Sequence, residues 1–592
     1  MKSITTIFSA ALLAASLILP AAASAADDTE AAFQSRVQYM TSYLDTASNP
    51  GIYGAAYRYA LKKDLKKADS IFLNCDQIKK PSGDMFWMFP VIGTYLYGKD
   101  VMSPEVKAAV RNAWKTYAPY RGDTENHWAM YYTSLFLAAE SWRGLPRSEW
   151  FNGKSSDENL KEAKEYLINW MRITTTIGQG EFDSPDYFPE YGISMSLLAE
   201  FAQDPEMKKR GSMMMEYIYT DFAVDHLDGQ YIGGYSRIYQ PAVYKPLNSG
   251  ASQFAYLYFG SGDPVRGGWA ILSALSHYRL PKIIYSIAND RSVSYINKER
   301  KRVRNVIRYG TEKNPPVFKY SYVTKDYGIG SLDGGLQQPI QIHTWGVRFT
   351  SGKPYTTIFG LHPYWSGKEL AMFFPEEEKT MIADVTGSKT TYNNENKWTG
   401  GSPYERTFQQ KNTLIVLYDI QPGTTTEHID GFFPKTLDER IVDKSGWIMC
   451  RAGDTYVGWY PFQPYDWSQS KEDEDNWRLR SHKLQNGYVI EVRSKQEAGS
   501  FEKFCAGLRA TTPRVTLEPG KVSAEYKSMG NGTMYFAYPS TRKLNGKTVD
   551  VTKQKLFESP FTQAEVGSQM LTISYKNQKR ILDFKNVTVT EK

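Results

Sequence analysis

The segment 124–132 places an amide, an imidazole and two phenols at the start of one predicted helix. Thr124 is the predicted N-cap, because its hydroxyl can accept a backbone N–H bond left free at a helix start. His127 and Tyr131 are four residues apart and share a helix face. A helix start carries partial positive charge, which favours a bound anion and a neutral imidazole. Asn126 and His127 could therefore hold a carboxylate and accept a proton, which suits chemistry on a uronic acid. In the alternative interpretation, Asn126 helps to cap the helix and His127 packs as a neutral ring.

A second candidate segment, 180–191, is dense in acidic and aromatic residues and precedes a helix that Pro189 can begin. Loops between helices often form the mouth of a binding cleft. The alternative is a rigid linker whose acids, Asp186 and Glu190, cap the next helix. The predicted substrate-binding residues are Glu125, Tyr131, Glu181, Asp183, Tyr187 and Trp87.

The third candidate segment is 233–239, with the sequence Gly-Gly-Tyr-Ser-Arg-Ile-Tyr. If this segment is extended, Tyr235, Arg237 and Tyr239 lie on one side of it. A guanidinium matches a carboxylate through two parallel hydrogen bonds, and a cation beside a phenol stabilises the phenolate. A structural Arg237 paired with an internal acid is the alternative. In the β region, Tyr327 or Gln338 could line the cleft, while most of that segment, His343 included, is expected to be packing.

The composition indicates an exported protein. Lys2, the apolar run 7–20 and the small residues 23–25 fit a signal peptide over 1–25, which predicts a periplasmic or secreted location. No later apolar run is long enough for a membrane span. The three cysteines are an odd and widely spaced set, so Cys450 and Cys505 either pair or remain thiols.

The charge pattern argues against a nucleic-acid partner. The net charge is +7, and the Lys and Arg residues are dispersed along the chain. The 42 Tyr and 14 Trp residues are more informative, because aromatic rings with one polar end can stack on sugars. No two His occur at metal-ligand spacing, so no metal and no cofactor are predicted. The expected partner is an acidic polysaccharide or oligosaccharide, and the sequence does not define an oligomeric state.

The pattern of apolar residues in the sequence changes near residue 290. Periodic apolar segments predict helices over 26–290, and their short connections are typical of an (α/α) toroid. Short β-branched and aromatic segments follow, separated by Gly, Pro, Asn and Asp. They predict an antiparallel β-sandwich over 291–535 and a small C-terminal β region over 536–592, the latter expected as a separate sheet.

This layout resembles the heparinase-like and alginate-lyase-like polysaccharide lyases. The segments that carry the resemblance are 125–127, 180–184, 234–237 and 327–331. Within that group the chain looks most like the exo-acting lyases that remove rhamnose from glucuronate on arabinogalactan. The resemblance implies that Asn126 neutralises the uronate carboxylate and that His127 is the base or a second neutralising group. It further implies a carboxylate clamp at Arg237 and an acid/base at Tyr235 or Tyr239.

The chemistry can also be stated without the resemblance. A proton beside a carboxylate is scarcely acidic, because its removal creates a dianion that donors and positive potential must stabilise. In a glucuronate the C5 proton and O4 leave from the same side, so one Tyr could serve as base and then as acid. A glycoside hydrolase using Glu181, Asp183 or Glu190 is the first alternative. The second is a glycan-binding protein without catalytic activity.

Overall fold

The computed structural model describes residues 30–119, 124–303, 315–334, 342–364, 394–469 and 474–592. A helical N-terminal part is followed by large antiparallel sheets, which confirms the predicted fold class of an (α/α) toroid before a β-sandwich. The predicted signal peptide and Gln338 lie outside the described residues. Within the described ranges, no helix is both long and apolar enough to cross a membrane.

The helical part begins at Glu30 and ends at Asn289. Its helices are α1 (Glu30–Thr41), α2 (Gly51–Ala60), α3 (Leu65–Asn74), α4 (Asp76–Lys79), α5 (Met88–Gly98), α6 (Pro104–Thr116), α7 (Glu125–Ser141), α8 (Ser156–Ile177), α9 (Phe188–Phe201), α10 (Pro205–Val224), α11 (Gln240–Tyr244), α12 (Gly250–Phe259), α13 (Ile271–Ala274) and α14 (Lys282–Asn289). Two further helices, α15 (Lys495–Ala498) and α16 (Phe501–Arg509), lie among the later strands.

Local signals explain where several of these helices begin. Asp204 caps α10 by accepting hydrogen bonds from the backbone N–H groups of Glu206 and Met207, and Pro205 occupies the first turn, as predicted. Helices α7 and α9 are buried along nearly their whole length. A helix buried on every face belongs to the interior of the helical part, so the start of α7 is firmly held.

The strands in chain order are β1 (Ser82–Gly83), β2 (Ala118–Pro119), β3 (His226–Leu227), β4 (Gln230–Tyr231), β5 (Tyr295–Arg302), β6 (Pro316–Val323), β7 (Tyr327–Gly334), β8 (Trp345–Phe349), β9 (Thr357–Leu361), β10 (Glu405–Gln410), β11 (Thr413–Asp419), β12 (Ile429–Pro434), β13 (Glu439–Val442), β14 (Ile448–Ala452), β15 (Thr455–Pro461), β16 (Asp466–Ser468), β17 (Asn476–Ser481), β18 (Gln485–Ser494), β19 (Arg514–Glu518), β20 (Lys521–Ser528), β21 (Gly532–Ala537), β22 (Thr541–Leu544), β23 (Lys547–Thr548), β24 (Phe557–Glu558), β25 (Thr562–Ala564), β26 (Met570–Tyr575), β27 (Gln578–Asp583) and β28 (Thr588–Glu591). Among the described residues, the largest sheet has the order β16-β17-β12-β9-β8-β7-β6-β5-β24-β25-β26-β27-β28. A second sheet has the order β10-β11-β18-β15-β14-β13, and a third runs from β19 to β23.

The first two sheets share an apolar core. Trp345 of β8 packs with Trp459 of β15 and Tyr488 of β18, and its indole N–H donates to the Tyr488 hydroxyl over 2.8 Å. Side chains from the inner faces of both sheets interdigitate in this way, as in a sandwich. Cys450 and Cys505 are buried and free, so the two do not form a disulfide in this structure.

The last strands differ from the expected separate sheet. β24 pairs with β5, with Phe557 opposite Glu299, and β25 to β28 continue the largest sheet from there. An unpaired β5 edge would be open to pairing with another chain, and β24 covers that edge. Leu571, Ile573 and Leu582 of these strands pack in the same core as the helices.

Glu405 at the start of β10 provides a test of the buried sheet core. Burial raises the pKa of this carboxyl to about 8. The folded chain therefore keeps the proton up to that pH, whereas the unfolded chain releases it near pH 4.5, so stability is lost as pH rises between those values. Glu405→Gln should remove this loss. The free energy of unfolding in urea should exceed that of the wild type by an amount that grows with pH and levels off above about pH 8.

The exposed Glu518 of β19 offers a matched control, since Glu518→Gln should change the unfolding free energy little at any pH. A Glu405→Gln effect that is the same at pH 4 and pH 9 would show that the carboxyl ionises normally.

Candidate active site

Thr124 caps helix α7 as predicted. Its Oγ1 accepts a hydrogen bond from the His127 backbone N–H over 3.3 Å and lies 2.8 Å from His127 Nδ1. If the hydroxyl donates to Nδ1, then Nε2 carries the ring proton and can donate to an anion. If Nδ1–H donates to the hydroxyl, then Nε2 can accept a proton. Thr124 therefore supports either role of His127, whose side chain keeps 7% of its surface exposed beside the ring of Phe86.

Glu181 occupies the anion site at the start of α7. Its Oε2 accepts from the Asn126 backbone N–H over 2.8 Å, from Asn126 Nδ2 over 2.7 Å and from the Tyr191 hydroxyl over 3.0 Å. Its Oε1 accepts from Arg237 Nη1 over 2.8 Å. The side chain is fully buried, and the helix start holds this internal carboxylate, whereas the role predicted for Glu181 was contact with substrate. Asn126 is fully buried as well, and among the described residues its Oδ1 has no hydrogen-bond partner.

Glu125 is a second internal carboxylate. Its Oε1 accepts from Trp170 Nε1 over 2.9 Å and from Arg302 Nη2 over 2.6 Å, while its Oε2 accepts from the Glu181 backbone N–H over 2.6 Å. The residue has no exposed surface. Glu125 therefore fixes the loop that carries Glu181, and its predicted contact with substrate stays a prediction.

Arg237 joins the buried carboxylate to a phenol. Nη1 binds Glu181, while Nη2 donates to the Tyr187 hydroxyl over 2.9 Å and the guanidinium lies over the Tyr187 ring at 4.1 Å. The φ angle of Arg237 is +46°, a left-handed conformation that side-chain-bearing residues adopt infrequently. Backbone strain of this kind is concentrated at functional sites. It also breaks the predicted alternation, so Tyr235 does not share a side with Arg237 and Tyr239.

Tyr187 and Tyr239 form a hydrogen-bonded pair of phenols. Their hydroxyl oxygens are 2.6 Å apart, and both residues are partly exposed. The Tyr239 backbone N–H donates to Asp186 Oδ2 over 2.8 Å, which fixes the chain at this point. Burial raises the pKa of Asp186 to about 6. The network therefore connects the buried Asn126 to two partly exposed phenols.

Tyr235 lies in a different environment. It is fully buried, and its hydroxyl accepts a hydrogen bond from Arg348 Nη2 over 2.7 Å. Its ring stacks on His343 with centroids 5.2 Å apart, and the two backbones form an isolated bridge. Burial, reinforced by Arg348, lowers the pKa of His343 to about 3, so the ring is neutral. Within the described residues neither ring nitrogen of His343 has a hydrogen-bond partner, which is unusual for a buried polar side chain.

The sequence indicated no contact between His343 and a candidate site residue. The sequence expectation was packing, yet the ring lies against a candidate acid/base tyrosine. Its bridge to Tyr235 joins segments more than a hundred residues apart, so no local pattern could have indicated the contact. Tyr327, expected as a possible cleft residue, is buried in the sandwich core, where its hydroxyl donates to Glu497 Oε2 over 2.9 Å.

Asp183 belongs to a buried charge cluster between the helices and the sheet. Lys319 Nζ of β6 lies 2.7 Å from Asp183 Oδ2 and also binds Asp225, the C-cap residue of α10. Lys301 Nζ of β5 lies 3.3 Å from Asp183 Oδ1 and 2.5 Å from Asp221 Oδ2. Against the effect of burial, the two ammonium groups hold the pKa of Asp183 below its ordinary value. These ion pairs hold Asp183 inside the protein, and its predicted contact with substrate stays a prediction.

Three carboxylates of this cluster are close enough to bind one cation. They belong to Asp183, Asp221 and Glu299. Lys301 Nζ contacts all three, with the Glu299 Oε2 atom at 2.8 Å. Because the Lys301 ammonium group already lies among these oxygens, the arrangement acts as an ionic link between α10, the 181–187 loop and β5.

Tyr131 and Trp87 are largely packing residues. Tyr131 is 9% exposed and contacts the rings of Trp128 and Tyr132 edge to face. Trp87 stacks on Tyr117 at 4.3 Å, and its indole N–H donates to the Gln77 carbonyl over 2.8 Å. Trp87 also lines a small surface cavity of about 260 Å³ next to Phe86, the residue that touches His127. Its predicted part in sugar binding is therefore limited to one edge of the ring.

Comparisons with known proteins give limited information. No protein-family model matches the chain, and no curated protein sequence matches it. Among solved structures, the heparan sulfate lyase HepC from Pedobacter heparinus matches with a TM-score of 0.35 and 10% identity, over 86% of this chain and 81% of that chain. The similarity is too low to carry an argument about function, so the proposal below rests on the site itself.

Proposed function

We propose that the protein is a polysaccharide lyase that cleaves a glycan at a 4-linked uronate, with glucuronate as the expected sugar, by β-elimination. The observation that carries this proposal is the hydrogen-bond chain from Asn126 through Glu181 and Arg237 to Tyr187 and Tyr239. These contacts connect the buried start of α7 to the partly exposed Tyr187 and Tyr239. The Tyr187 hydroxyl accepts a hydrogen bond from the Arg237 guanidinium. The guanidinium polarises the Tyr187 hydroxyl, which can donate to the Tyr239 oxygen 2.6 Å away and so stabilise a Tyr239 phenolate.

The proposed reaction assigns each group one task. His127, in the tautomer with a proton on Nε2, donates to the substrate carboxylate and stabilises the charge that develops there. Tyr239, as phenolate, takes the C5 proton, the C4–O4 bond breaks, and a C4–C5 double bond forms. The same hydroxyl then returns the proton to O4. Asn126, Glu181 and Arg237 position these groups. Tyr187 accepts a hydrogen bond from Arg237 and can donate one to the Tyr239 oxygen.

Tyr235 is the second candidate for the acid/base. Arg348 donates to its hydroxyl as Arg237 does to Tyr187, and the neutral His343 lies against its ring. We favour Tyr239 because its pair with Tyr187 is partly exposed whereas Tyr235 is fully buried.

The carboxylates named for a hydrolase are poorly placed for that reaction. An inverting hydrolase needs two carboxyl groups on either side of the sugar. Glu181 and Asp183 are both buried and already engaged in ion pairs, and Glu190 is buried inside α9. Asp186 is half-buried, and its Oδ2 already accepts a hydrogen bond from the Tyr239 backbone N–H. The described residues therefore favour elimination.

The direct test is the appearance of an ultraviolet-absorbing unsaturated uronate when the purified protein is incubated with acidic glycans. We propose glucuronate-bearing arabinogalactan with terminal rhamnose as the first substrate, in line with the sequence resemblance, beside heparan sulfate and alginate. The protein is proposed to act after export, once segment 1–25 has been removed. No absorbing product from any uronate glycan would contradict the proposal.

His127→Ala should lower kcat/KM on the best substrate by about 10²–10³-fold, since it removes the donor to the developing charge. The thermal unfolding midpoint should change little, because the ring is at the edge of the core. His277 provides a matched control: its side chain is 91% exposed and pairs with Glu200 on the surface, so His277→Ala should leave kcat/KM unchanged. Near-normal kcat/KM in His127→Ala would show that the assigned role is wrong.

A further inference from the structure

Two adjoining cavities lie on the face of the large sheet that points away from the buried charge cluster. Their volumes are about 340 and 490 Å³, and both are lined by Ile296 and Lys298 of β5 and by Glu558 of β24. Side chains alternate along β5, so Ile296 and Lys298 face the cavities while Glu299 and Lys301 face the Asp221 side. The two cavities together are called the outer groove here, and they are separated from the Tyr187–Tyr239 pair by the sheet itself.

The floor of the outer groove is a row of aromatic rings. Phe318, Tyr320 and Tyr322 occupy alternate positions of β6 and therefore share one face. Tyr320 and Tyr322 pair with Lys298 and Ile296 of the neighbouring strand. Successive rings on one face are about 7 Å apart. This spacing allows neighbouring rings to contact different units of an extended chain.

Six of the seven charged side chains that line the outer groove pair with one another, and Lys411 is the seventh. Lys298 Nζ lies 2.8 Å from Glu558 Oε1, and Arg542 Nη2 lies 2.8 Å from Asp333 Oδ2. Lys553 Nζ lies 3.8 Å from Asp550 Oδ2. A polyanion would require several cations that are not already paired with acids, whereas among these lining residues Lys411 alone stands outside the three pairs, so the groove suits an acidic chain poorly.

The polar groups between these pairs suit hydroxyl groups. Gln410 and Lys411, at the β10–β11 turn, form part of one wall. Asp333 Oδ1 is buried at the groove and, within the described residues, meets no hydrogen-bond donor at bonding geometry. A pyranose ring has an apolar face that can stack on an aromatic ring and a rim of hydroxyls that can bind such groups. A lipid would leave the polar walls unsatisfied.

We propose that the outer groove is a second, non-catalytic binding site for a neutral stretch of glycan chain. The Phe318–Tyr320–Tyr322 row stacks on the sugar faces, and the paired side chains of the walls bind the hydroxyls. This site is independent of the elimination chemistry, so its existence does not depend on the proposed function. On an acidic glycan with neutral branches or a neutral backbone, it would keep the protein attached to the polymer while the acidic end is processed.

The test measures binding of neutral oligosaccharides to the full chain by isothermal titration calorimetry. The probes are β-1,3-galactan, β-1,4-galactan and cello-oligosaccharides, with polygalacturonate as the acidic comparison. At least one neutral probe should bind the wild type, and Tyr322→Ala should weaken that binding by about tenfold. Gln410→Trp, which narrows the groove without removing a floor residue, should weaken it as well.

Tyr535 of β21 supplies the matched control, because it is a partly exposed tyrosine outside the lining of the outer groove, and Tyr535→Ala should bind as the wild type does. Circular dichroism verifies that each variant is folded. The proposal is overturned if no neutral probe binds, if both groove variants bind like the wild type, or if polygalacturonate competes for the groove more strongly than the neutral probes. Because binding is measured without turnover, these outcomes are distinct from a failure of the lyase assay.

Discussion

Tyr239→Phe is expected to lower kcat by about 10²–10⁴-fold, the range of general acid–base catalysis, while the protein remains folded. The substitution removes one hydroxyl oxygen, 2.6 Å from that of Tyr187, and leaves the ring in place. Tyr187→Phe should have a smaller effect on kcat, because Tyr239 would keep its own hydroxyl and lose only the link to Arg237. Initial rates of unsaturated product formation, measured at saturating substrate, provide the comparison.

Tyr575→Phe is a matched control for the loss of a hydrogen-bonded phenol far from the site. Tyr575 lies on β26, and its hydroxyl donates to Asp290 Oδ2 over 2.9 Å. Removal of this hydroxyl should leave kcat unchanged. A full-rate Tyr239→Phe together with an inactive Tyr235→Phe would contradict the assignment. That result would place proton transfer at the Tyr235 hydroxyl, beside Arg348 and His343.

Lys319→Met is expected to lower the free energy of unfolding by about 3–5 kcal/mol, since it leaves buried carboxylates without their cation. Lys319 binds both Asp183 and Asp225, and all three side chains are almost completely buried. Even with Lys319 present, burial raises the pKa of Asp225 to about 7. The measurement is urea unfolding followed by tryptophan fluorescence and by circular dichroism.

The exposed Lys325 provides the control for this substitution. It pairs with Asp326 at the surface, so Lys325→Met should change the unfolding free energy by no more than about 1 kcal/mol. Lys319→Met should also reduce activity, because Asp183 lies in the same loop as Glu181 and Tyr187. An unfolding free energy within about 1 kcal/mol of the wild type would contradict the view that this cluster links the helices to the sheet.

The position of Glu181 changes the expected mechanism. The resemblance implies that Asn126 and Arg237 neutralise the substrate carboxylate directly. In the structure both groups already bind the Glu181 carboxylate, so their positive potential is largely compensated. In the proposed mechanism the substrate carboxylate therefore depends on His127, and the proposed contribution of Asn126 and Arg237 is to hold the loop and the phenols in position.

Features encoded by neighbouring residues could be predicted from the sequence. The Thr124 cap of α7 and the Asp204 cap of α10 each depend on contacts within one helical turn. The change from helix to strand near residue 290 follows from residue composition in the same way, because β-branched and aromatic runs favour strands. These local preferences agree with the fold, as expected of natural sequences.

Contacts between distant segments could not be predicted. Glu181 meets Asn126 and Glu125 because α7 and the 181–187 loop pack together, and no spacing in the sequence encodes that meeting. The left-handed conformation of Arg237 overrides the strand-like alternation of its segment. The pairing of β24 with β5 likewise joins strands far apart in the chain. In each case a contact between segments that are distant in the sequence determines the local arrangement.

The most direct measurement of the central claim is the mass of the product formed in water labelled with heavy oxygen. Elimination cleaves the C4–O4 bond without adding water, so the account predicts an unsaturated uronate that carries no label and lacks one water relative to the hydrolysis product. A saturated uronate that has incorporated the heavy oxygen would show hydrolysis and contradict the account.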